Sequence, residues 1–245
     1  MPRIVIFLDL DDTILQTVSK CPPGEPLTPA AMDRAGRALS FMTRAQERLL
    51  GFWLEQGTVI PVTGRTDDAL GRVAIAFNSW RITHHGAVVR QPDGRLPESW
   101  RIQIQPALIA AQPLLQEVAA GLAGDATTGG YRVSTHTVEN LLTYVSVKAN
   151  ENEAVLAGVR AWLENTLPPA LMLHYNGHNL AVIVRGAQKH DAVRLVAVEL
   201  ERDGPIVTIG AGDSLTDSPF VRACDFALVP KGSQIQLNTW SEYAP

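Results

Sequence analysis

Asp9 and Asp11 stand two residues apart in the segment Asp9-Leu10-Asp11-Asp12-Thr13, directly after the apolar run Ile4-Val5-Ile6-Phe7-Leu8. Carboxylates at that spacing, at the carboxyl end of a strand, can both project into the crevice where open α/β sheets bind ligands. One of them suits a hard cation and an attack on phosphorus, because a magnesium ion masks the repulsion between two anions, and the other can donate a proton. Acidic turns and calcium loops share this composition, so the cluster alone does not choose between them.

Three further groups have the types that such chemistry needs. Val62-Thr63-Gly64-Arg65-Thr66 again follows a short apolar run and opens a helical pattern. Its hydroxyl, its glycine and the free amides of a helix start make a natural phosphate cradle, although a plain Thr-Gly turn capping Thr66 reads the same way. Lys189 also opens a helical pattern, where a lone lysine is more often a solvated surface residue than a ligand. Gly210-Ala211-Gly212-Asp213-Ser214-Leu215-Thr216-Asp217 places two more carboxylates after an apolar run.

The elements that must position these groups fall into two textures. Residues 3–8 form a β-branched and aromatic run of the kind buried on both faces of a parallel sheet. Thr28-Pro29 predicts a helix start, with helix or a pair of helices continuing to a stop at Gly57. Residues 58–62 predict a strand and Thr66-Asp67-Asp68 another capped helix. Near the other end, helix over 189–201, strand over 205–210, helix over 217–223 and strand over 226–229 continue the α/β pattern. Between them the order is helix 105–122, strands 131–135 and 141–147, helix 151–167, strands 171–175 and 180–184. That is helix-strand-strand twice, with the second strand pair turning at Asn176-Gly177-His178, and it predicts antiparallel hairpins covered by two helices.

Acid pair, Thr, Lys, acid pair, each ending or following a core strand, is the order in which the chain resembles the haloacid dehalogenase (HAD) superfamily. The likeness spans roughly 1–86 and 186–230, and the insertion lies where that superfamily's type 2 caps sit, its double αββ pattern being similar to the caps of Cof-type, sucrose-phosphatase-like and phosphomannomutase-like members. The resemblance implies a Rossmann-like parallel-sheet core, 1–86 with 186–245, and an inserted α+β cap, 87–185. It implies a magnesium-dependent phosphatase acting on a small phosphorylated metabolite, a sugar phosphate or phosphorylated sugar acid. Asp9 would be the nucleophile that becomes an aspartyl phosphate and Asp11 the acid and base. Thr63, Gly64 and Lys189 would hold the phosphoryl group. Asp9, the main-chain carbonyl of Asp11, and Asp213 would bind Mg2+, with Asp217 and Arg65 in support. Two departures stand out: Ser214 and Thr216 replace the Gly and Asn of the Gly-Asp-Gly-x-Asn-Asp pattern common with such caps, and Asp12 stands where Gly is frequent. A phosphomutase would use the same nucleophile. A receiver-like signalling module also sets Thr and Lys around a phosphorylated Asp, but its acceptor follows a later strand and it has no place for the insertion.

Composition agrees with an enzyme of this kind. In 245 residues, 46% are hydrophobic and 19% charged, an ordinary globular balance. The net charge of -4 and the scattering of the 21 basic residues give no footprint for nucleic acid or an anionic membrane. The opening apolar stretch is too short for a signal sequence and no apolar run reaches the length of a membrane span. Cys21 and Cys224 are too few for a disulfide framework or a closed zinc site and fit a reducing cytoplasm. His84, His85, His174 and His178 lack zinc spacing and read as structural or solvent-facing. Trp53, Trp80, Trp100 and Trp162 read as packing residues, and Arg185 with residues 176–179 as groups a folded-down lid would turn to the crevice.

Overall fold

The computed structural model describes residues 1–149, 153–175 and 179–239. Its first element, β1 (Arg3–Leu8), buries Val5 and Phe7 on one face and Ile6 and Leu8 on the other, the continuous burial that its composition predicts. The chain then makes a hairpin of β2 (Leu27–Met32) and β3 (Ala38–Thr43), followed by α1 (Arg44–Gln56). This corrects the helix start expected at Thr28-Pro29. Residues 27–32 pair antiparallel with 38–43, and the register shifts beside Pro29, which lacks an N–H for a regular ladder. Asp33 closes the turn by accepting from the backbone of Ala35 and Arg37, and Gly36 takes the left-handed φ of 77° that the turn needs. The true helix cap is Thr43, whose hydroxyl and backbone form a capping box with Gln46, and α1 stops at Gly57 as expected.

Next come β4 (Thr58–Pro61), the single turn α2 (Asp67–Leu70) capped by Thr66, and a small hairpin of β5 (Arg81–Thr83) and β6 (Val88–Arg90). Helices α3 (Glu98–Gln103) and α4 (Gln105–Gly129) lead into β7 (Arg132–Val138) and β8 (Leu141–Lys148), then α5 (Glu153–Thr166), β9 (Leu171–Tyr175) and β10 (Asn179–Val184). The helix-strand-strand repeat is therefore present, with four antiparallel strands in the order β7-β8-β10-β9. The expected turn at Asn176-Gly177-His178 and the first residues of the expected 151–167 helix lie outside the described residues.

The chain closes with α6 (Lys189–Glu201), β11 (Ile206–Ala211), α7 (Ser218–Ala223), β12 (Phe226–Leu228) and α8 (Gln234–Thr239). The parallel sheet has the order β12-β11-β1-β4, and the bridge from Val62 to Ile82 carries it on to β5. The carboxyl ends of β1, β4 and β11 thus emerge side by side, with Leu8 opposite both Pro61 and Ala211.

One face of this sheet packs on α1 and the β2–β3 hairpin, through Leu50, Trp53, Ala30 and Met42. The other face packs on α6 and α7, and that cluster runs without a break through Trp100, Leu108 and Leu115 to Val145, Val147 and Val182 of the antiparallel sheet. Each fully buried aliphatic or aromatic side chain contributes about 1.5–3 kcal/mol of transfer free energy, so the shared cluster ties the two sheets firmly together. Among the described residues one stretch, Gln105–Gly124 of α4, is long and apolar enough to cross a membrane by length and composition, against the expectation that none would be. Its Leu108, Ala111, Leu115, Val118 and Leu122 form a stripe buried against the antiparallel sheet, while Ile109 is exposed. Trp53 and Trp100 are buried and Trp80 is partly buried, as expected of packing residues, whereas Trp162 is 44% exposed.

Candidate active site

Asp9 lies one residue beyond β1, its N–H bonded to the carbonyl of Ala211 at 2.9 Å, which fixes it against the end of β11. Its side chain is buried and fully engaged. Lys189 Nζ donates to Asp9 Oδ1 at 2.6 Å, and Thr13 Oγ1 donates to Asp9 Oδ2 at 2.8 Å. Lys189 reaches this point because α6 starts beside Gly86, where a Cβ would sit 2.0 Å from the Gln188 carbonyl carbon and where φ is 106°. The lysine expected to be doubtful as a ligand is thus buried at the centre of the site. Its Nζ also donates to Asp217 Oδ1 at 2.6 Å.

Asp213 stands close by, with Thr13 Oγ1 3.4 Å from its Oδ1. Oxygens of Asp9, Asp213 and Asp217 all lie within 4.8 Å of one another, the spacing of a metal-binding group. Three carboxylates around one ammonium leave negative charge uncompensated, and oxygen donors of this kind suit a hard divalent cation such as Mg2+. The electrostatics agree. Burial, with Asp217 and Asp213 alongside, holds the Asp9 carboxyl well above the usual range against the pull of Lys189. Burial and then Asp217 push Asp213 up to about 7. Asp217 is lowered, because Lys189 and the bonds from Ser214 outweigh its burial.

Asp11 is placed differently. Both of its oxygens are held by Arg65, from Nε at 2.8 Å and Nη2 at 2.7 Å, and Arg65 Nη2 also reaches Ser40 of β3 at 3.4 Å. Its side chain is 44% exposed, so it faces the open side of the crevice while Asp9 faces the buried side. Asp12 takes a left-handed φ of 64°, a conformation Asp tolerates and Gly adopts freely, and pairs with Lys20. Thr63 is buried at the head of the next loop, its N–H bonded to Ile82 and its Oγ1 accepting from Arg65 N at 3.1 Å. Gly64 lies under the ring of His85, where a Cβ would come within 2.4 Å of Cε1. Of the expected residues, Asp9, Lys189, Asp213 and Asp217 meet on the buried side of the crevice, Thr63 is buried in the neighbouring loop beside Arg65, and Asp11 with Arg65 forms the outer wall.

No family model and no curated protein matches the chain by sequence. Solved structures do match by shape. The chain is similar to the C-terminal domain of trehalose-6-phosphate phosphatase from C. albicans, with TM-score 0.59 and 14% identity over 91% of this chain and 73% of that one. It is similar to the sucrose-phosphatase from Synechocystis sp. PCC6803, with TM-score 0.57 and 14% identity over 99% of this chain and 88% of that one. A haloacid dehalogenase-like hydrolase from B. subtilis gives TM-score 0.53 and 16% identity over 93% and 88%. The chain has the haloacid dehalogenase-like fold.

Within that fold the two departures at 214 and 216 acquire a role in the geometry. Ser214 donates from N at 3.1 Å and from Oγ at 2.7 Å to Asp217 Oδ2, its hydroxyl lies 2.9 Å from Thr216 Oγ1, and Thr216 Oγ1 lies 2.8 Å from Nδ1 of His174 on β9. A chain of hydroxyls thus runs from an acidic residue of the HAD-like core to the antiparallel sheet. A second link joins His84 Nδ1 to the Thr143 hydroxyl at 2.8 Å. Around it four rings gather: His136 stacks on Tyr144 at 4.1 Å, and His85 meets Tyr144 at 5.0 Å and His174 at 4.9 Å. Burial lowers His84, His136 and His174 to about 4 each, so the imidazoles are neutral near pH 7. His84 and His174 are buried and hydrogen-bonded, as structural roles imply, while the placement of His85 over Gly64 and of the Thr13 hydroxyl on Asp9 was not expected. Only the adjacency of Thr13 to the acid pair carried a signal. Arg185 is exposed beyond β10, its N–H bonded to the carbonyl of Ala170.

Proposed function

We propose that this chain is a magnesium-dependent phosphatase that hydrolyses a small phosphorylated metabolite, a sugar phosphate or phosphorylated sugar acid, through an aspartyl-phosphate on Asp9. The observation that carries the reading is the buried triad of Asp9, Lys189 and Asp217 beside Asp213, assembled from three distant segments, two following the parallel strands β1 and β11 and the third opening α6. The trehalose-6-phosphate phosphatase and sucrose-phosphatase among the similar structures support a sugar phosphate as substrate. Residues 1–86 and 186–245 would form the catalytic domain and 87–185 the cap that encloses the substrate.

In the first step Asp9 attacks phosphorus, the ester P–O bond breaks, and Asp11 gives its proton to the leaving oxygen. Water then attacks the aspartyl phosphate and returns a proton to Asp11, freeing inorganic phosphate and Asp9. Lys189 neutralises charge between Asp9 and the transferring group, and the Thr63 hydroxyl donates to a phosphoryl oxygen. Arg65 holds both Asp11 oxygens, so Asp11 must leave that pair to take up and deliver its proton. Asp9, Asp213 and the main-chain carbonyl of Asp11 would hold Mg2+, which when bound supplies the remaining neutralisation of phosphoryl charge.

The test is phosphate release from a panel of phosphorylated sugars and sugar acids. Wild-type protein with Mg2+ is expected to hydrolyse at least one, and Asp9→Asn to lose at least about a thousandfold in kcat, as removal of a nucleophile does. Unchanged hydrolysis in Asp9→Asn, or activity that survives metal chelation, would contradict the reading.

A further inference from the structure

The face of the antiparallel sheet turned away from α4 and α5 can be read row by row from its register. Tyr144, Ser146 and Lys148 alternate onto one face of β8. His136, Ser134 and Arg132 stand opposite them on β7, and Ile183, Ala181 and Asn179 on β10, with His174 opposite Ala181 on β9. The first row is walled by the stacked rings of His136 and Tyr144, and the second holds the small side chains of Ser134, Ser146 and Ala181. This face lies over the catalytic crevice, because His174 bonds Thr216 at 2.8 Å and Tyr144 packs on His85, which covers Gly64.

The third row is cationic. Lys148 and Arg132 stand directly opposite each other, one two-residue step, about 7 Å, beyond Ser146. Neither has a carboxylate within ion-pair distance among the described residues, unlike Lys20, Arg65, Arg90 and Lys189, which are each paired. Lys148 is exposed to solvent, yet lies near enough to the crevice for the charges of Asp11 and Arg65 to act on it. Burial of its stem, the neighbouring Arg132 and Arg65 lower its ammonium, and Asp11 opposes them. Two adjacent unpaired cations repel each other until an anion joins them. Asp11 and Arg65, paired with each other, act on Lys148 in opposite directions, so the two cations keep their joint charge for one anionic group of a ligand.

We propose that Lys148 and Arg132 bind a carboxylate at the far end of the substrate, so that the preferred ester is a phosphorylated polyol acid. This rests on the phosphatase reading and narrows it. The phosphate end sits at Asp9 and Lys189, the carbon chain lies along the small residues of the second row, and the carboxylate lies between the two cations.

A matched pair of esters tests it. 6-Phosphogluconate and glucitol 6-phosphate differ only in a terminal carboxylate against a hydroxymethyl, and p-nitrophenyl phosphate serves as a substrate that needs no tail. Wild type is expected to favour 6-phosphogluconate in kcat/KM. In Lys148→Gln that preference should fall roughly fivefold, through KM, as the loss of a partly exposed charged hydrogen bond implies, and Lys148→Arg should retain it. A wild-type preference for the neutral ester, or an identical ratio in Lys148→Gln, overturns the proposal. So does hydrolysis of p-nitrophenyl phosphate without hydrolysis of 6-phosphogluconate, which leaves the phosphatase reading intact. No phosphate from any of the three removes the phosphatase reading itself.

Discussion

Asp213 is the carboxylate that Lys189 compensates least, since the ammonium is bonded to Asp9 and Asp217 instead. Its pKa of about 7 against an ordinary 3.8 means that, between those values, the folded metal-free protein holds a proton the unfolded chain has released. A group raised in this way favours folding at low pH, and its contribution falls as pH rises through the folded value. Above that value the ionised cluster is repulsive and a divalent cation relieves the repulsion, while below it protons compete with the cation. The rise in melting temperature produced by Mg2+ is therefore expected to be larger at about pH 8 than at about pH 5.5, and thermal scans with and without the ion check it. The meeting of these acids was legible from the sequence because each follows an apolar strand, and strand ends in a parallel sheet converge. Burial of Lys189 was not legible, since it depends on Gly86 letting two backbones meet across roughly a hundred residues of intervening chain.

At the scale of elements, the loop after β11 and strand β9 are joined by the hydroxyls of Ser214 and Thr216 and the ring of His174. Thr216→Val keeps the shape and removes the bridging hydroxyl, leaving His174 Nδ1 buried without a partner. It should cost about 1–2 kcal/mol of stability by thermal or denaturant unfolding, and Thr216→Ser should retain most of it. Contacts of this kind join residues 42 apart in the chain, so no local pattern announces them. The β2–β3 hairpin was hidden for a different reason. Thr28-Pro29 and the Ala30-Ala31 that follows carry a helix-start signature, and only pairing with 38–43 overrides it. Strands β1, β4 and β11 were plain because burial on both faces writes itself as an unbroken apolar run.

For the molecule as a whole, one hydrophobic cluster spans both sheets, with Trp100 fully buried near its middle and its Nε1 donating to Ala87 O at 2.9 Å. Unfolding is expected as a single transition, and Trp100→Ala should cost about 4 kcal/mol and shift both far- and near-ultraviolet melting curves together. Two separate transitions would show that the sheets hold independent cores. The same long-range assembly brings residues 9, 189, 213 and 217 to one point, and the central claim is that Asp9 there accepts a phosphoryl group. The most direct measurement uses Asp11→Asn with Mg2+ and p-nitrophenyl phosphate, a leaving group that needs no proton, so that the acylphosphate forms but water is poorly activated. Acid quenching and peptide mass spectrometry are expected to find one phosphoryl group on the peptide containing Asp9. A hydrolytically active wild type whose Asp11→Asn variant carries no such label, or carries it on another residue, would contradict the account.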